Sequence, residues 1–168
     1  RDLHRVDRRQ RQMCIRDRNL PVLNTREKIQ ALQNTLLAHA NGLDIVTEQD
    51  THLFPLKHSF ADGIYVRQMF MGKDTVVVGA IHNHLHVWFL LAGEITVATE
   101  EVSETYIGPC YVVSTPGTKR VIYANEDSVF VNVHKNPTNC KDIGMLEEEI
   151  VSATFEEYEE YINKTDKI

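Results

Sequence analysis

Cysteine and long apolar runs are both scarce in this chain of 168 residues. None of its three cysteines lies in a CxxC pair, and Cys14 belongs to an atypical N-terminal stretch, which leaves Cys110 and Cys140. Two cysteines at that spacing exclude a disulfide framework and a zinc ribbon. No apolar run approaches the roughly 18 residues that a membrane helix needs, and no secretory signal is recognisable. We therefore expect a reduced, cytoplasmic protein without a membrane partner.

Positive charge is also in short supply. The chain has 18 Lys and Arg against 24 Asp and Glu, which gives a net charge of −6. Non-specific binding to nucleic acid needs a basic surface, so no nucleic-acid partner is expected. The sequence contains no glycine-rich loop that would cradle a phosphate, and no nucleophile beside a general base is recognisable. Catalytic residues are therefore not assigned from the sequence.

Residues 1–18 differ from the rest of the chain. They are rich in arginine and show no apolar period, so neither a helix nor a strand is predicted there. Residues 8–18 can be back-translated, one by one, into a transposase-type sequencing-library adapter. We interpret residues 1–18 as a disordered translation artefact of a metagenomic or draft assembly; the alternative is a basic arm that binds nucleic acid or a membrane. Without these seven basic and three acidic residues the net charge becomes −10.

About 150 residues remain, enough for one domain with a sizeable core. Residues 19–52 are predicted as an N-terminal helix, at about 25–40, with its lead-in. Residues 53–136 alternate short β-rich runs with turn residues, which favours a β-barrel or sandwich over alternating α/β units. Residues 137–168 are predicted as an acidic helical segment with helices at 142–151 and 155–162. The predicted strands are 63–70, 75–81, 87–91, 94–99, 104–107, 110–114, 120–124 and 128–134.

Three histidines, His82, His84 and His86, alternate within five residues at the start of an apolar run. A spacing of two puts side chains on one face of an extended strand, so all three imidazoles are predicted to enter one space. Imidazole clusters suit divalent transition metals, and iron, zinc, manganese and nickel are the candidate cofactors. The stretch therefore predicts a pocket without naming what it binds.

The residues around these histidines resemble the first motif of the cupins, which have a double-stranded β-helix, or jelly-roll barrel. Counting back from Gly93, His86 occupies the place of the motif's glutamate and His82 that of its second histidine, whereas Ala80 occupies the place of the first. The second cupin motif resembles residues 108–117, and Arg120 then falls where that motif has a histidine ligand. The resemblance implies a mainly β jelly-roll barrel with an N-terminal helix and short C-terminal helices, and a ligand set that departs from the family's at two of four places.

A closer resemblance is to the cupin-like hypothetical proteins carried by tailed bacteriophages. It covers nearly all of residues 50–155 and includes His58-x-Phe60-Ala61-x-Gly63-x-Tyr65, Ser114-x-Pro-Gly-Thr-Lys-Arg-Val-x-Tyr-Ala124 and the late His134. This resemblance implies a phage or prophage origin, with the protein in the host cytoplasm or in the virion. It brings no established reaction with it.

The direction of Arg120 separates two readings of the pocket. A guanidinium stays charged and donates five hydrogen bonds, so it disfavours a cation close by. If Arg120 points inward, then His82, His86, Arg120 and Tyr123 form a pocket for an anion such as carboxylate or phosphate. If it points outward, a three-histidine metal site remains. That site consists of His82 and His86 with either His84 or His134.

Three functions are compatible with these residues. The first is a phage-type cupin that binds a small ligand or a divalent metal in the barrel, with metal ligands His82, His86 and His84 and ligand contacts from Arg120, Tyr123 and His134. The second is a metal-dependent cupin enzyme, a dioxygenase, isomerase or lyase. The third is a virion-associated or assembly protein that uses the barrel as a scaffold. A homo-oligomer is expected, and under the third function it would form through an outer sheet of the barrel.

Overall fold

The computed structural model describes residues 25–38 and 54–165, and these residues form a mainly β structure. No helix in this part of the chain has the length and apolar composition of a membrane span. The helices are α1 Thr25–Ala38, α2 Ile143–Ile150 and α3 Phe155–Thr165. The strands are β1 Leu56–Ala61, β2 Ile64–Met71, β3 Val76–Val78, β4 Ile81–His82, β5 His86–Ala92, β6 Glu94–Ala98, β7 Ser103–Ile107, β8 Cys110–Ser114, β9 Val121–Ala124, β10 Ser128–Lys135 and β11 Val151–Ser152.

Two antiparallel sheets form the barrel. The larger sheet has the strand order β1-β2-β10-β5-β8 and the smaller one β3-β9-β6-β7, while β4 pairs with β11. Apart from the edge strand β1, successive strands pass repeatedly from one sheet to the other, which is the connectivity of an eight-stranded jelly roll. The predicted fold class, a mainly β jelly-roll barrel with helices, is confirmed.

The alternation of side chains along the strands produces the core. On β5, Trp88 and Leu90 point inward and are at most 2% exposed, whereas the residues between them face outward. Phe130 of β10 stacks on Trp88 with ring centroids 5.1 Å apart. Full burial of each such side chain stabilises the fold by roughly 2 kcal/mol. The apolar core occupies one half of the barrel, which leaves the other half for polar side chains.

The turn between β5 and β6 depends on a glycine. Gly93 has φ +91°, a conformation that side chains with a Cβ rarely adopt. A Cβ at this position would also lie 2.2 Å from Ser128 Oγ and 2.4 Å from Asp127 O. The glycine from which the cupin register was counted is therefore required by both backbone conformation and space.

Several predicted elements differ from the observed ones. The strand predicted at 75–81 is two strands, β3 and β4, separated at Gly79-Ala80; one further hydrogen bond, from Gly79 N to Arg120 O, extends the β3–β9 register beyond Val78. The strands β1 and β11 were not predicted, since β11 has only two residues and β1 lacks a clear alternation of apolar and polar types. The remaining predicted strands and helices lie within three residues of the observed bounds. The adapter-like residues 1–18 lie outside the described residues, as do the last two residues, 39 and 40, of the helix predicted at about 25–40.

The segment after the barrel folds back over one end of it. Asp142 caps α2 by accepting from Met145 N, and Leu146 and Ile150 of that helix are buried against Tyr65. The chain then pairs β11 with β4, so that Val151 lies beside His82. This return places α2, β11 and α3 next to the polar half of the barrel.

A modified capping box opens α3. Glu157 N donates to Thr154 Oγ1, while the Glu157 carboxylate accepts from Ala153 N, one residue before the cap. Phe155, Tyr158 and Tyr161 are half-buried, whereas Ile162 is 36% exposed. None of the residues of α3 is fully buried, so this helix lies on the surface and closes the end of the barrel with its aromatic side chains.

Candidate functional site

A row of polar side chains crosses the inner face of the larger sheet. His134 on β10 lies opposite Tyr65 on β2, and His86 on β5 lies opposite Ser114 on β8. The pairing of β10 with β5 brings the His86 and His134 rings together, with centroids 4.9 Å apart. His82, on the short strand β4, adds a third ring from the opposite direction.

The three rings form a compact cluster. The centroids of His82 and His86 are 3.9 Å apart and those of His82 and His134 are 5.2 Å apart. One ring nitrogen from each residue lies within 4.8 Å of the other two. Two buried ring nitrogens, His82 Nδ1 and His86 Nε2, have no hydrogen-bond partner. A buried polar atom without a partner is destabilising, so a bound group that pairs with these nitrogens would stabilise the cluster.

Burial keeps all three imidazoles neutral. It lowers the pKa of His86 to about 4, with the charge on Arg120 as a second cause. Burial, followed by the neighbouring His86, lowers the pKa of His134 to about 3. The same two causes hold the pKa of His82 well below its usual range. Neutral imidazole is the form that coordinates metals, so the cluster is in its ligating form at neutral pH.

The donor set fits a divalent transition metal. Three imidazole nitrogens are the protein ligands of one common class of catalytic zinc site, which keeps a further position open. Tetrahedral bonds of about 2.1 Å separate ligand atoms by about 3.4 Å. The nitrogens of the cluster, which lie within 4.8 Å of one another, would converge on a metal by small rotations of their side chains.

Arg120 also points into the barrel. It is 6% exposed and one of its terminal nitrogens donates to Ser114 Oγ. Burial lowers the pKa of this guanidinium to about 10, so it stays charged at neutral pH. The sequence predicts either an anion pocket with Arg120 inward or a three-histidine metal site with Arg120 outward. The structure combines an inward Arg120 with a cluster of three histidines.

A cavity of about 440 Å³ extends from these residues through the barrel. Arg67 and Asn132, from β2 and β10, line its middle, and Asn132 Oδ1 is buried without a hydrogen-bond partner. Apolar side chains line the inner end, namely Met69, Val77, Ile122 and Phe130. At the other end the cavity is covered by α2, β11 and α3, which contribute Glu147, Glu148, Ile150, Val151, Glu157, Glu160, Tyr161 and Lys164.

Two of the predicted site residues lie elsewhere. His84, predicted as the third metal ligand, lies in the bend between β4 and β5 and stays outside the cluster, where its Nε2 lies 3.1 Å from Tyr161 Oη. Its place is taken by His134, which the sequence predicts both as a ligand contact and as the alternative third histidine of the metal site. Tyr123, predicted to line the pocket, points out of the barrel and donates to Asp74 Oδ1 at 2.6 Å. Arg120 and Tyr123 are three positions apart, an odd spacing, so they face opposite sides of the extended chain that enters β9.

Several residues of the site were missed by the sequence analysis. Arg67 and Asn132 lie opposite each other in the β2–β10 register, one step along from Tyr65 and His134. Their sequence spacing already indicates a shared face, because in Tyr65-x-Arg67 and Asn132-x-His134 a spacing of two puts both side chains on the same face of the strand. Lys119, which is fully buried and donates from Nζ to Ala153 O at 2.6 Å, does not line this cavity.

Comparison with known proteins shows likeness only at the level of structure. No protein-family model matches the chain, and no curated protein does. Similar solved structures include a cupin 2 conserved barrel domain protein from Salinispora arenicola, with 10% identity over 51% of this chain and 77% of that one and a TM-score of 0.44. A cupin 2 domain-containing protein from Halorhodospira halophila has 18% identity over 53% of this chain and 68% of that one, with a TM-score of 0.45. These likenesses are too distant to support a function, and the jelly-roll assignment above comes from the strand order itself. The resemblance to phage proteins stays a prediction.

Proposed function

We propose that this protein binds a divalent transition metal through His82, His86 and His134 at one end of the barrel cavity. The observation that carries the proposal is the convergence of three buried, neutral imidazoles, two of which have a ring nitrogen without a partner. The sequence departed from the cupin motif at two ligand places, and His134 from the last barrel strand compensates for one of them. Three protein ligands leave at least one coordination position open to a ligand from the cavity.

Arg120 gives the proposed site its preference for anions. Its guanidinium lies in the same cavity as His82 and His134 and lowers the pKa of all three histidines. A nearby charged guanidinium weakens the binding of a cation by repulsion unless an anion compensates for it. A small anionic ligand between the metal and Arg120 would supply that compensation. When bound, the metal acts as a Lewis acid toward such a ligand, and Arg120 orients the anion.

Metal analysis of untagged protein tests the proposal. We expect about one equivalent of a transition metal after dialysis against zinc, iron or manganese, and loss of at least nine tenths of it in His82→Ala and in His134→Ala. His84→Ala is the matched control, because His84 is a neighbouring histidine outside the cluster, and it should retain the metal. Equal loss in His84→Ala, or no metal in the wild-type protein, would contradict the proposal.

The finer alternatives are part of the same proposal. The phage origin is supported by the sequence resemblance over residues 50–155. The enzyme alternative is supported by the open coordination position beside a cavity that is large enough for a substrate. Turnover of a ligand by the metal-loaded protein, absent from His134→Ala, would favour the enzyme over a binding protein.

A further inference from the structure

The cavity has a charged arginine on each of its two walls. Arg67 belongs to β2 of the larger sheet, and Arg120 directly precedes β9 of the smaller one. Both line the cavity, as do His82 and His134. Both guanidiniums also contribute to the lowered pKa of His82, so the histidine lies within the field of each.

One carboxylate of the protein already approaches this pair. Glu147 of α2 lies 3.8 Å from a terminal nitrogen of Arg67, and its side chain is 26% exposed. A distance of 3.8 Å is too long for a charge-assisted hydrogen bond, which is usually shorter than about 3 Å. The contact is thus a loose ion pair at the edge of the cavity, in a position where a ligand carboxylate could form a shorter one.

The other carboxylates around the cavity are on the covering helices and not on the barrel walls. Glu157 accepts from Ala153 N, and Glu160 lies 4.0 Å from Lys164 Nζ. Both side chains are exposed, as is Glu148, so solvent screens their charges. Arg120 is buried and Arg67 is 20% exposed, so the charges within the cavity are mainly positive.

We propose that the ligand of this cavity is a small dianion with two separate carboxylate groups, one bound by Arg120 and the other by Arg67. The inference rests on the proposed function in that it places the ligand in the same cavity, and it adds the class of ligand. Two guanidiniums on opposite walls favour two acidic groups over one, since each can bind a carboxylate through two parallel hydrogen bonds. The apolar side chains at the inner end, such as Met69 and Ile122, accommodate a methylene chain between the groups.

The size of the cavity supports a ligand with two acidic groups rather than one. Its volume of about 440 Å³ falls within the usual range for small-molecule sites, about 300–1,000 Å³, and exceeds what a single phosphate fills. Binding by Arg67 requires the ligand to replace Glu147. Glu147 is therefore a competitor of the ligand, and its removal should strengthen binding.

Calorimetric titration of the metal-free protein with four pairs of acids tests the inference. The pairs are oxalate and acetate, malonate and propionate, succinate and butyrate, and glutarate and valerate. We expect one dicarboxylate length to bind at least tenfold more tightly than its monocarboxylate partner. Metal-free protein is used because dicarboxylates chelate metal in solution, and the arginines act with or without a metal. The titration is repeated on zinc-loaded protein.

Variants separate the two arginines from general electrostatics. Arg67→Met and Arg120→Met should each reduce the preference for the dicarboxylate to less than threefold, whereas Glu147→Gln should raise dicarboxylate affinity at least threefold. Lys57→Met is the matched control, because it removes a positive charge from the exposed face of the neighbouring strand β1, and it should change nothing. If Arg120→Met does not fold, Arg67→Met and Glu147→Gln, whose effects have opposite signs, decide the outcome.

Three results would overturn the inference. They are equal affinity for mono- and dicarboxylates, an affinity for inorganic phosphate equal to that for the best dicarboxylate, and an equal loss in Lys57→Met. Metal content measured on the same preparations keeps the two proposals apart. A protein that binds metal but shows no preference for dicarboxylates contradicts only the ligand class, and one that prefers dicarboxylates but binds no metal contradicts only the metal site.

Discussion

At the scale of single residues, the polar half of the barrel depends on three imidazoles that are buried without charge. His82, His86 and His134 are at most 8% exposed and lie against one another, and the charge on Arg120 lowers the pKa of each. Protonating any of them would place a positive charge in a poorly solvated space beside a guanidinium. The cluster therefore stays neutral at pH values where an exposed histidine would already be partly protonated. As a result, acidification lowers the free energy of unfolding.

The stability of the metal-free protein should fall as the pH decreases below about 6.5. In the unfolded chain the histidines bind protons near their usual pKa, whereas in the folded protein the pKa of His86 is about 4 and that of His134 about 3. Between these values the unfolded state binds more protons, so acidification favours unfolding. From pH 7.5 to pH 5 we expect a loss of roughly 2 kcal/mol for each of these two histidines.

Urea titration followed by the fluorescence of Trp88, the one tryptophan of the chain, measures this loss. His134→Gln removes one of the three buried histidines and should show about two thirds of the pH dependence of the wild-type protein, whereas His84→Gln, with its histidine outside the cluster, should show nearly all of it. A free energy of unfolding that stays constant between pH 7.5 and 5 would show that the imidazoles are not held neutral.

At the scale of elements, α3 covers the cavity through a few side-chain contacts. Arg26 of α1 lies over the Phe155 ring at 4.3 Å, and Tyr161 approaches His84. The ring of Tyr158 packs against Gly117, where a Cβ would lie 2.9 Å from a ring carbon. Since α3 has no buried residue, these contacts determine how firmly it closes the barrel.

Gly117→Ala should destabilise the protein more than Gly63→Ala. Both glycines have a positive φ, +81° and +70°, so both substitutions carry the cost of about 1–2 kcal/mol for that conformation. Only at Gly117 does the added Cβ meet the Tyr158 ring, whereas nothing lies within 4 Å of a Cβ at Gly63. We expect an additional loss of about 1–2 kcal/mol for Gly117→Ala, measured by urea unfolding.

A double-mutant cycle assigns this difference to the contact with α3. In a Tyr158→Ala background the added Cβ meets no ring, so the extra cost of Gly117→Ala should largely disappear. If the two glycine substitutions cost the same in the wild-type background, the packing of Tyr158 on Gly117 contributes nothing to the position of α3.

At the scale of the whole molecule, the outer face of the larger sheet is apolar. Leu91, Tyr111 and Val113 are each more than half exposed. Among the side chains of β5, β8 and β10 that point outward, the charged one is Lys135, and none is a carboxylate. A chain with a net charge of −6 can approach a second copy through this face without bringing carboxylates together. A homodimer through the outer face of β5, β8 and β10 is therefore the expected assembly.

Val113→Glu should shift the protein from dimer to monomer, because it places a carboxylate within this apolar face, next to β5. Ile107→Glu is the matched control, since Ile107 is an exposed aliphatic residue on β7 of the other sheet. Sedimentation equilibrium at several protein concentrations distinguishes the two. A monomeric wild-type protein, or equal dissociation in both variants, would contradict the dimer.

The barrel and about half of the site could be predicted from the sequence. The alternation of apolar and polar residues predicted the strands, and the spacing of His82 and His86 from Gly93 predicted that the two histidines share one space. Both predictions succeed because they depend on residues that are close together in the chain. The prediction failed for His84 and Tyr123, since the bend after β4 and the alternation along β9 turn them away from the cavity. It did not find Arg67 and Asn132, because their spacing of two from Tyr65 and His134 shows a shared face of the strand but not which face lines the cavity.

The sequence by itself determined a mainly β fold, an acidic surface and a strand rich in histidine at the entrance of a pocket. Only the tertiary structure decided that His134 completes the cluster, that Arg120 enters the barrel beside it and that Arg67 faces it from the other wall. The physical reason is that these residues meet through the register between strands distant in sequence. That register is set by the packing of Trp88, Leu90 and Phe130 in the apolar half of the barrel, and not by the residues of the site.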